Sequence, residues 1–198
     1  MPVTDTRRSQ QLVLASGSAR RRDLLRQIGI EPSIVDPPHI DEHHGLRELP
    51  LAYAERMAHG KLAAIAPRHP GCWVLAADTV VACGRRILPK AETEAEARAC
   101  LALLSGRRHR VLGGIAIAGP DGRDAHRVVT TVVAFKRLTA PEIDAYVATG
   151  DWHGKAGGYA IQGHAAAFIP RINGSYGNVV GLSLSDTVAM LTGLGWQG

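Results

Sequence analysis

The spacing of apolar and polar residues predicts strands and helices in alternation along the chain. The apolar run "QLVLA" at residues 11–15 ends at the turn "SGS" and is typical of a short buried strand. A helix is predicted next over residues 19–28, with Ser18 at its N-cap and Gly29 as its stop. Prolines and polar residues predict mostly loop over residues 31–49.

A second helix is predicted after Pro50, because the apolar residues that follow recur at intervals of three and four. The next segment, "WVLAADTVVA", is apolar on both sides of one Asp-Thr pair and predicts a central strand. The apolar positions of the second helix are Leu51, Ala54, Met57, Ala58, Leu62 and Ile65.

Two further helices carry a capping-box signature at their start. Thr93 is followed by Glu96, and Thr139 is followed by Glu142. Between these helices, "RHRVLGGIAIAG" and "RVVTTVVAFKRL" flank the turn "GPDGRD", which predicts a β-hairpin. Helices combined with crossover and hairpin strands predict an α/β fold with a mixed twisted sheet and flanking helices.

The segment 151–184 is rich in glycine and small residues. Within it, the pieces "AAAFI" and "NVVGL" favour strands. A last short helix is predicted over residues 186–194.

Composition is that of an ordinary globular protein. The 198 residues are 45% hydrophobic and 21% charged, and we expect a single domain over residues 1–198 with one core or two small lobes around a cleft. No run approaches the roughly 20 apolar residues of a membrane span, and the N-terminus lacks the pattern of a secretory signal, so a cytoplasmic protein is expected. Three cysteines at unrelated spacings predict small buried side chains rather than disulfides or a zinc site.

The charge of the chain narrows the choice of partners. A formal net charge of +5 favours anionic ligands, which include nucleic acids, anionic lipids and phosphorylated small molecules. Aromatic residues make up only 5% of the chain and are scattered, so single-stranded nucleic acid is an unlikely partner.

Three arginines, Arg20, Arg21 and Arg22, stand in the first turn of the first predicted helix, where the helix dipole disfavours cations. At about 100° per residue, Arg21 falls on the buried side, Arg20 flanks that side and Arg22 faces solvent. A buried guanidinium requires a nearby anion, and helix N-termini bind phosphate. The pattern predicts either a phosphate site or a structural pairing of Arg21 with a carboxylate. The residues that define the buried side are Leu24, Leu25 and Ile28.

One acidic residue, Asp78, interrupts the apolar strand "LAADTVVA". A buried carboxylate is costly unless it meets a cation, a metal ion or several hydrogen-bond donors. The alternative is that the strand ends at Ala77 and that Asp78 caps a turn, although the valines that follow favour a continuous strand. Asp78 is therefore a candidate functional residue.

Other charged residues are candidates by residue type alone. Lys61 and Lys90 can bind phosphate, although single lysines usually lie on the surface. The segment "HIDEHH" offers oxygens of Asp41 and Glu42 that suit Mg²⁺ or Mn²⁺, and a solvated loop is the alternative. The glycine-rich "GKAGGYAIQG" does not have the spacing of a phosphate-binding loop, and no dinucleotide fingerprint is present.

Four separated stretches together resemble the Maf family of nucleoside triphosphate pyrophosphatases. They are "LASGSARRRDLLRQIG", "AADTVV", "ILPKAETEAEARACLALLSGRRHRV" and "KAGGYAIQGHAAAFIPRINGSYGNVVGL". The four occur in the family's order and spacing over roughly residues 11–188. One such motif has little specificity, whereas four in register are highly specific.

The resemblance implies hydrolysis of the α,β phosphoanhydride of a nucleoside triphosphate, with Mg²⁺ or Mn²⁺ as cofactor. It also implies a homodimer and a two-lobed α/β fold around a deep cleft, similar to inosine triphosphate pyrophosphatases. The stretch "AGGYAIQG" is similar to the branch of the family that acts on dTTP and UTP and unlike the branch for 7-methyl-GTP. A pyrimidine nucleoside triphosphate, canonical or modified, is thus the implied substrate.

The resemblance also implies roles for individual residues. Asp78 matches the family's proton acceptor beside the metal, and Glu42 matches the acidic loop position that helps hold the metal. In the dTTP and UTP branch, the positions matched by Arg20, Thr79 and Gln162 are tied to substrate choice. The residues that match the phosphate side of the site are Ser16, Arg20, Arg21, Lys61 and Lys90.

Four positions depart from the family pattern. Ala19 replaces a proline, which we expect to affect only the rigidity of the turn. Pro89 and Ala91 replace the glycine and proline around Lys90, and we expect them to shift the backbone that aims it. Gly113 stands where a threonine or serine is common, which is expected to remove one hydroxyl from the cleft wall.

Two non-catalytic functions are the alternatives. One is a nucleotide- or nucleic-acid-binding protein that restrains cell division as a septum-formation inhibitor. Asp78 and Glu42 would repel a polyanion, so their presence favours hydrolysis over binding alone. The other is a duplex DNA or RNA binder, which only the net positive charge supports.

Overall fold

A mixed sheet of seven strands forms the centre of the protein, in a computed structural model that describes residues 11–197. A separate two-stranded sheet accompanies it within the described residues. The strands are β1 (Leu12–Ala15), β2 (Ile34–Val35), β3 (Trp73–Cys83), β4 (Arg86–Leu88), β5 (Lys90–Ala91), β6 (Arg108–Ala118), β7 (Asp124–Ala134), β8 (Lys155–Ala156) and β9 (Arg171–Asn173).

The strands of the large sheet run in the order β2-β1-β3-β6-β7-β9, and β4 pairs with β3 near one end. Strand β1 is parallel to β2 and β3, and the other pairings in this sheet are antiparallel. The small sheet pairs β5 with β8. The predicted mixed sheet and the predicted hairpin, formed by β6 and β7, are both confirmed.

Helices begin and end at the residues that local sequence signals mark. Thr93 and Thr139 form the two predicted capping boxes, each with a glutamate three residues later. Ser18 is the N-cap of the first helix, although its side chain makes no capping hydrogen bond, and Gly29 follows that helix at φ +79°. The helices are α1 (Ala19–Gln27), α2 (Pro50–Ile65), α3 (Glu94–Leu104), α4 (Ala140–Thr149), α5 (Tyr176–Val180) and α6 (Leu184–Leu194).

Apolar side chains form two lobes. At one end of the sheet, α2 covers one face and α1 with α6 covers the other, because side chains of β1 and β3 alternate between the faces. At the other end, α3 and α4 enclose a second core around Leu101, Tyr146 and Phe168. Strands β3 and β6 are 11 residues long each and pass through both lobes.

Helix α2 approaches the sheet closely at Gly114 of β6. A Cβ atom on Gly114 would lie 2.2 Å from the carbonyl oxygen of Ala54, so only glycine fits there. Gly114 is paired with Asp78 across the β3–β6 ladder, and paired residues project to the same face of a sheet. Asp78 therefore projects toward α2, and its neighbour Thr79 projects toward the opposite face.

Two of the predicted strands are wrong. The piece "AAAFI" lies mostly in a short 3-10 helix, His164–Phe168, and "NVVGL" lies mostly in α5. Ser175 caps α5 by accepting a hydrogen bond from the Asn178 amide at 3.1 Å. The buried Asn178 side chain then donates to the carbonyls of β6 and β7. These capping and tertiary contacts outweigh the strand preference of the two valines.

Side-chain burial differs from the sequence prediction at a few positions. Ile28 and Leu51 were expected to be buried but are 40% and 51% exposed, since they lie at a helix end and in a first helical turn. The three cysteines are free; Cys72 and Cys100 are buried, as predicted, whereas Cys83 is only half-buried. Within residues 11–197, no helix is both long and apolar enough to cross a membrane.

Candidate active site

A cleft of about 520 Å³ lies between the two lobes. Residues from the turn after β1, from α2, from the middle of β3 and from the small sheet line it. The other candidate metal ligand, Asp41, does not line it. The nine residues to which the family resemblance gave roles lie on its walls: Ser16, Arg20, Arg21, Glu42, Lys61, Asp78, Thr79, Lys90 and Gln162.

The N-terminus of α1 forms one wall of the cleft. The turn at residues 16–18 and the first residues of α1 line the cleft, and the side-chain oxygen of Ser16 accepts a hydrogen bond from the Ser18 amide at 3.2 Å. The free amides and the positive dipole end of a helix favour an anion at this position. Ala19, which stands where the family has proline, is the first residue of α1.

Asp78 is buried in the middle of β3, which confirms that the strand continues through it. Its carboxylate is paired with Lys61. The carboxylate oxygen Oδ1 accepts a hydrogen bond from Lys61 Nζ at 2.6 Å, and both side chains are 7% exposed. Lys61 is brought to this depth because α2 packs on the same face of the sheet. A lysine that sequence could place only on a helix is thus a buried partner of the acid in the strand.

Glu42 extends this cluster to a second lysine. Its two oxygens lie 2.7 Å from Lys61 Nζ and 2.5 Å from Lys90 Nζ. Burial alone would raise the pKa of Glu42, but the hydrogen bonds from Lys61 and Lys90 outweigh it and lower the pKa to about 2. Unlike Glu42, its loop neighbours Asp41 and His43 point to solvent: they pair with each other, and their side chains are 78% and 96% exposed.

Arg21 is buried, as the helical periodicity predicted. Its guanidinium donates to Ser16 Oγ at 2.8 Å, to Thr79 Oγ1 at 3.1 Å and to the Gly181 carbonyl at 2.9 Å. Burial lowers the pKa of Arg21, and the negative charge of Asp78 opposes that shift. The predicted alternative of a carboxylate partner is wrong within the described chain, because all three hydrogen bonds go to neutral oxygens.

Arg20 lines the cleft and has no partner among residues 11–197. Its Nε atom is buried without a hydrogen bond, and burial lowers the pKa of the guanidinium. Arg22 does not line the cleft, as predicted, but it is half-buried rather than fully exposed. An unpaired, partly buried guanidinium at a helix N-terminus is suited to bind an anion through charge-assisted hydrogen bonds.

The small sheet positions Lys90 and a second lysine that the sequence prediction missed. Lys90 pairs with Ala156 in the β5–β8 ladder, and Lys155 also lines the cleft. Burial and the charge of Arg20 lower the pKa of Lys155. Lys90 lines the cleft, and the preceding Pro89 carbonyl accepts a backbone hydrogen bond from Gly157 at 2.9 Å; the expected backbone shift from Pro89 and Ala91 stays a prediction. The signal for Lys155 was its place at the start of "KAGGY".

The expectation for Gly113 is wrong. Gly113 does not line the cleft, and a Cβ atom there would lie 1.9 Å from Oδ1 of the buried Asn178. The space beside the glycine is therefore filled by the Asn178 amide within the protein, and the absence of a hydroxyl at residue 113 does not alter the cleft wall.

The cleft combines excess positive charge with two acids. Five cationic side chains and two carboxylates line it, which suits a ligand of several negative charges. Glu42 and Asp78 converge on the Lys61 ammonium group, so their oxygens are directed at one cationic position. The cleft is therefore a candidate polyanion site in an α/β protein, and its side chains include groups suited to acid–base and metal chemistry.

The sequence identifies the family. A match to Maf, described as Maf-like protein, spans residues 11–194, and the chain belongs to this family.

Relatives with high identity cover nearly the whole chain. A protein of Paramagnetospirillum magneticum named dTTP/UTP pyrophosphatase is 63% identical over 93% of this chain and 97% of its own. A protein of Rhodospirillum rubrum with the same name is 58% identical over 99% of this chain and 93% of its own. Among solved structures, a HAM1 protein from Coxiella burnetii aligns with 92% of this chain and 98% of its own, at 17% identity and a TM-score of 0.47.

Proposed function

We propose that this protein hydrolyses nucleoside triphosphates to the nucleoside monophosphate and pyrophosphate, with dTTP, UTP or a modified pyrimidine nucleotide as substrate. The observation that carries the proposal is one cleft in which a helix N-terminus with the unpaired Arg20 lies beside the buried Asp78–Lys61 pair. The names of relatives at 58–63% identity support the choice of reaction and substrate.

The phosphate groups are bound by the cationic wall of the cleft. Arg20 and the first amides of α1 face the cleft from one side, and Lys90 and Lys155 face it from the small sheet. Charge-assisted hydrogen bonds from these groups neutralise the phosphate oxygens, which makes phosphorus accessible to a nucleophile.

Asp78 serves as the proton acceptor for water. The water oxygen forms a bond to the α-phosphorus, the bond from the α-phosphorus to the bridging oxygen of the β-phosphate breaks, and pyrophosphate leaves with the electron pair. The water proton goes to the Asp78 carboxylate, whose Oδ1 is held by Lys61. Lys90 and Lys155 face the negative charge that develops on the leaving group.

Glu42 and Asp78 are the residues that would hold a divalent cation, Mg²⁺ or Mn²⁺. Both are carboxylates, the ligands that these hard cations prefer, and both already contact one ammonium group. When bound, such a cation adds positive charge to the phosphate oxygens that the arginine and lysines also neutralise.

Substrate choice is assigned to Arg20, Thr79 and Gln162. Gln162 is exposed in the cleft, so its amide can both donate and accept hydrogen bonds with a base. Thr79 is held by Arg21, so its orientation is fixed before a ligand arrives. We also propose that the protein is cytoplasmic and forms a homodimer. Sedimentation of the purified protein tests the homodimer.

A substrate panel tests the proposal directly. Pyrophosphate release is measured with dTTP, UTP, modified pyrimidine nucleotides, the other canonical triphosphates and 7-methyl-GTP, each with Mg²⁺, with Mn²⁺ and with a chelator. We expect release that requires the cation and is greatest with pyrimidine nucleotides. Release with 7-methyl-GTP alone would refute the substrate assignment, and no release with any nucleotide would refute the reaction.

A further inference from the structure

Three side chains outside the cleft form a second cluster of metal-ligating groups. Glu55 and His59 of α2 and His126 of β7 have ligand atoms that all lie within 4.8 Å of one another. None of the three lines the cleft. We propose that this cluster, the α2–β7 triad, binds a transition-metal ion such as Zn²⁺ and clamps α2 to the sheet.

Helix and sheet geometry bring the three residues together. Glu55 and His59 are four residues apart and therefore share one side of α2. In the β6–β7 ladder, His126 pairs with Ala116 and Val128 pairs with Gly114. His126 and Val128 project to the same face, where Val128 packs against the α2 side of the sheet. Because α2 lies close to the sheet at Gly114, its side chains Glu55 and His59 reach His126.

The distances suit a metal ion after small side-chain rotations. His126 Nε2 lies 3.6 Å from Glu55 Oε1, and the His59 and His126 ring centroids are 4.3 Å apart. Ligands at about 2.0–2.1 Å from Zn²⁺ in a tetrahedral site are roughly 3.3–3.4 Å from one another. The Glu55 and His126 side chains are 44% and 50% exposed, so they are free to rotate over the remaining gap.

The contacts of the triad favour a metal ion over a simple ion pair. An ion pair between His126 and Glu55 accounts for two members but leaves the His59 ring without a hydrogen bond or ion pair in the described part of the chain. A metal ion held by all three side chains would give the His59 ring a partner as well, because the ligand atoms of the three residues lie within 4.8 Å of one another.

The donor set also indicates the kind of metal. Two imidazoles and one carboxylate suit Zn²⁺, Co²⁺ or Ni²⁺, and they leave a position for water or another ligand. Mg²⁺ prefers oxygen ligands alone, which the cleft offers through Glu42 and Asp78. The α2–β7 triad is therefore chemically distinct from the catalytic cleft, and its existence does not depend on the proposed reaction.

Zn²⁺ titration of the full chain in excess Mg²⁺ tests the proposal. Isothermal calorimetry is run on the wild type, His59→Ala, His126→Ala and the control His153→Ala. The control removes an exposed histidine that pairs with Glu92 at 3.4 Å but has no second imidazole. We expect one tight Zn²⁺ site in the wild type and the control, and at least a tenfold loss of affinity in the other two variants.

Two further measurements separate this site from other binding. Co²⁺ bound at the triad is expected to give a visible d–d spectrum that His59→Ala and His126→Ala abolish, and Zn²⁺ at about 100 times Kd is expected to raise Tm by roughly 5–10 °C in the wild type. Equal Zn²⁺ affinity in all four proteins, or no binding in the wild type, would overturn the proposal.

Discussion

Lys61 and Arg21 are both buried cations in the cleft, but they act in different ways. Lys61 contacts two carboxylates, so its charge is compensated and it restricts the orientation of Glu42 and Asp78 in the cleft. Arg21 contacts neutral oxygens of Ser16 in the turn after β1, of Thr79 in β3 and of Gly181 at the end of α5. We therefore predict that Arg21 positions the walls of the cleft, whereas Arg20, whose Nε has no hydrogen bond, is available to contact a ligand.

Replacing the proton acceptor should separate chemistry from folding. Asp78→Asn keeps the size of the side chain and an oxygen that can accept the Lys61 hydrogen bond, so the fold should persist. Loss of the basic group should lower kcat for pyrophosphate release at least about a hundredfold. The control is Asp186→Asn, a carboxylate paired with Ser183 and Arg127 outside the cleft, for which near-normal kcat is expected. Near-normal turnover by Asp78→Asn would refute its role.

Arg20 and Arg22 form a matched pair on one helical turn. Arg20 lines the cleft and Arg22 does not, although both are half-buried and each has an unpaired Nε. Loss of charge-assisted hydrogen bonds of about 1.5–3 kcal/mol should lower kcat/KM of Arg20→Ala by roughly 10- to 100-fold. Arg22→Ala should stay within about twofold of the wild type. Steady-state kinetics with dTTP and UTP check this, and equal effects of the two substitutions would contradict it.

The ion pairs of Glu42 predict how its contribution to stability depends on pH. Its pKa is about 2 in the folded protein, below the ordinary value of 4.5. Glu42 therefore stabilises the fold above about pH 4.5, and that contribution is lost as the pH falls toward 2. Urea unfolding of the wild type and Glu42→Gln should show a difference in unfolding free energy that shrinks between pH 5 and about pH 2.5. A constant difference over this range would show that the lysines do not perturb Glu42.

At the scale of elements, the contact of α2 with β6 holds both Lys61 and the α2–β7 triad in place. A Cβ atom at Gly114 would collide with the Ala54 carbonyl at 2.2 Å, so Gly114→Ala should force α2 away from the sheet. We expect a loss of roughly 1–3 kcal/mol in unfolding free energy and a lower kcat.

Gly193 provides the matched control for this substitution. It lies within α6, and a Cβ atom there would meet nothing within 4 Å. Gly193→Ala should therefore stabilise the protein by up to about 1 kcal/mol and leave kcat unchanged. Denaturant unfolding and steady-state kinetics on both variants check the pair, and an unchanged stability of Gly114→Ala would refute the close packing.

Local signals explain which elements the sequence could predict. The structure confirms the capping boxes at Thr93 and Thr139 and the long strand β3. These features are set by residues that are adjacent in sequence, so the sequence alone predicts them. Helix α5 could not be read in this way. Its two valines favour a strand locally, and its helical form depends on the buried Asn178, which contacts β6 and β7.

Some cleft residues can be predicted from local sequence pattern, and others only from tertiary packing or family resemblance. Asp78 is visible in sequence because one acid interrupts an apolar strand, and Arg21 because it falls on a buried helical side. Lys61 looks like any surface lysine until α2 is packed against β3, and no periodicity indicates that depth. Family resemblance placed Lys61 in the site, and the roles of all nine residues stay predictions until variants are assayed.

At the scale of the molecule, β3 and β6 join the two lobes and place Asp78 between their cores. Each lobe supplies part of the charge, because α1 and α2 carry arginines and Lys61 on one side and the small sheet carries Lys90 and Lys155 on the other. The cleft thus concentrates positive charge within a protein whose formal net charge is +5. Association with a triphosphate should depend on this local field rather than on the net charge.

Salt dependence distinguishes the local field from the net charge. Raising KCl from about 20 to 200 mM at fixed Mg²⁺ shortens the screening length from roughly 20 to 7 Å, so kcat/KM should fall severalfold while kcat changes little. Lys155→Gln, which removes a cation from the cleft, should weaken this dependence. Arg171→Gln removes the same charge from an exposed position on β9 outside the cleft and should leave it unchanged. Equal salt slopes for the two variants would indicate that the net charge, rather than the local field, controls association. Salt-sensitive binding of long duplex DNA without nucleotide turnover would instead favour the nucleic-acid-binding alternative.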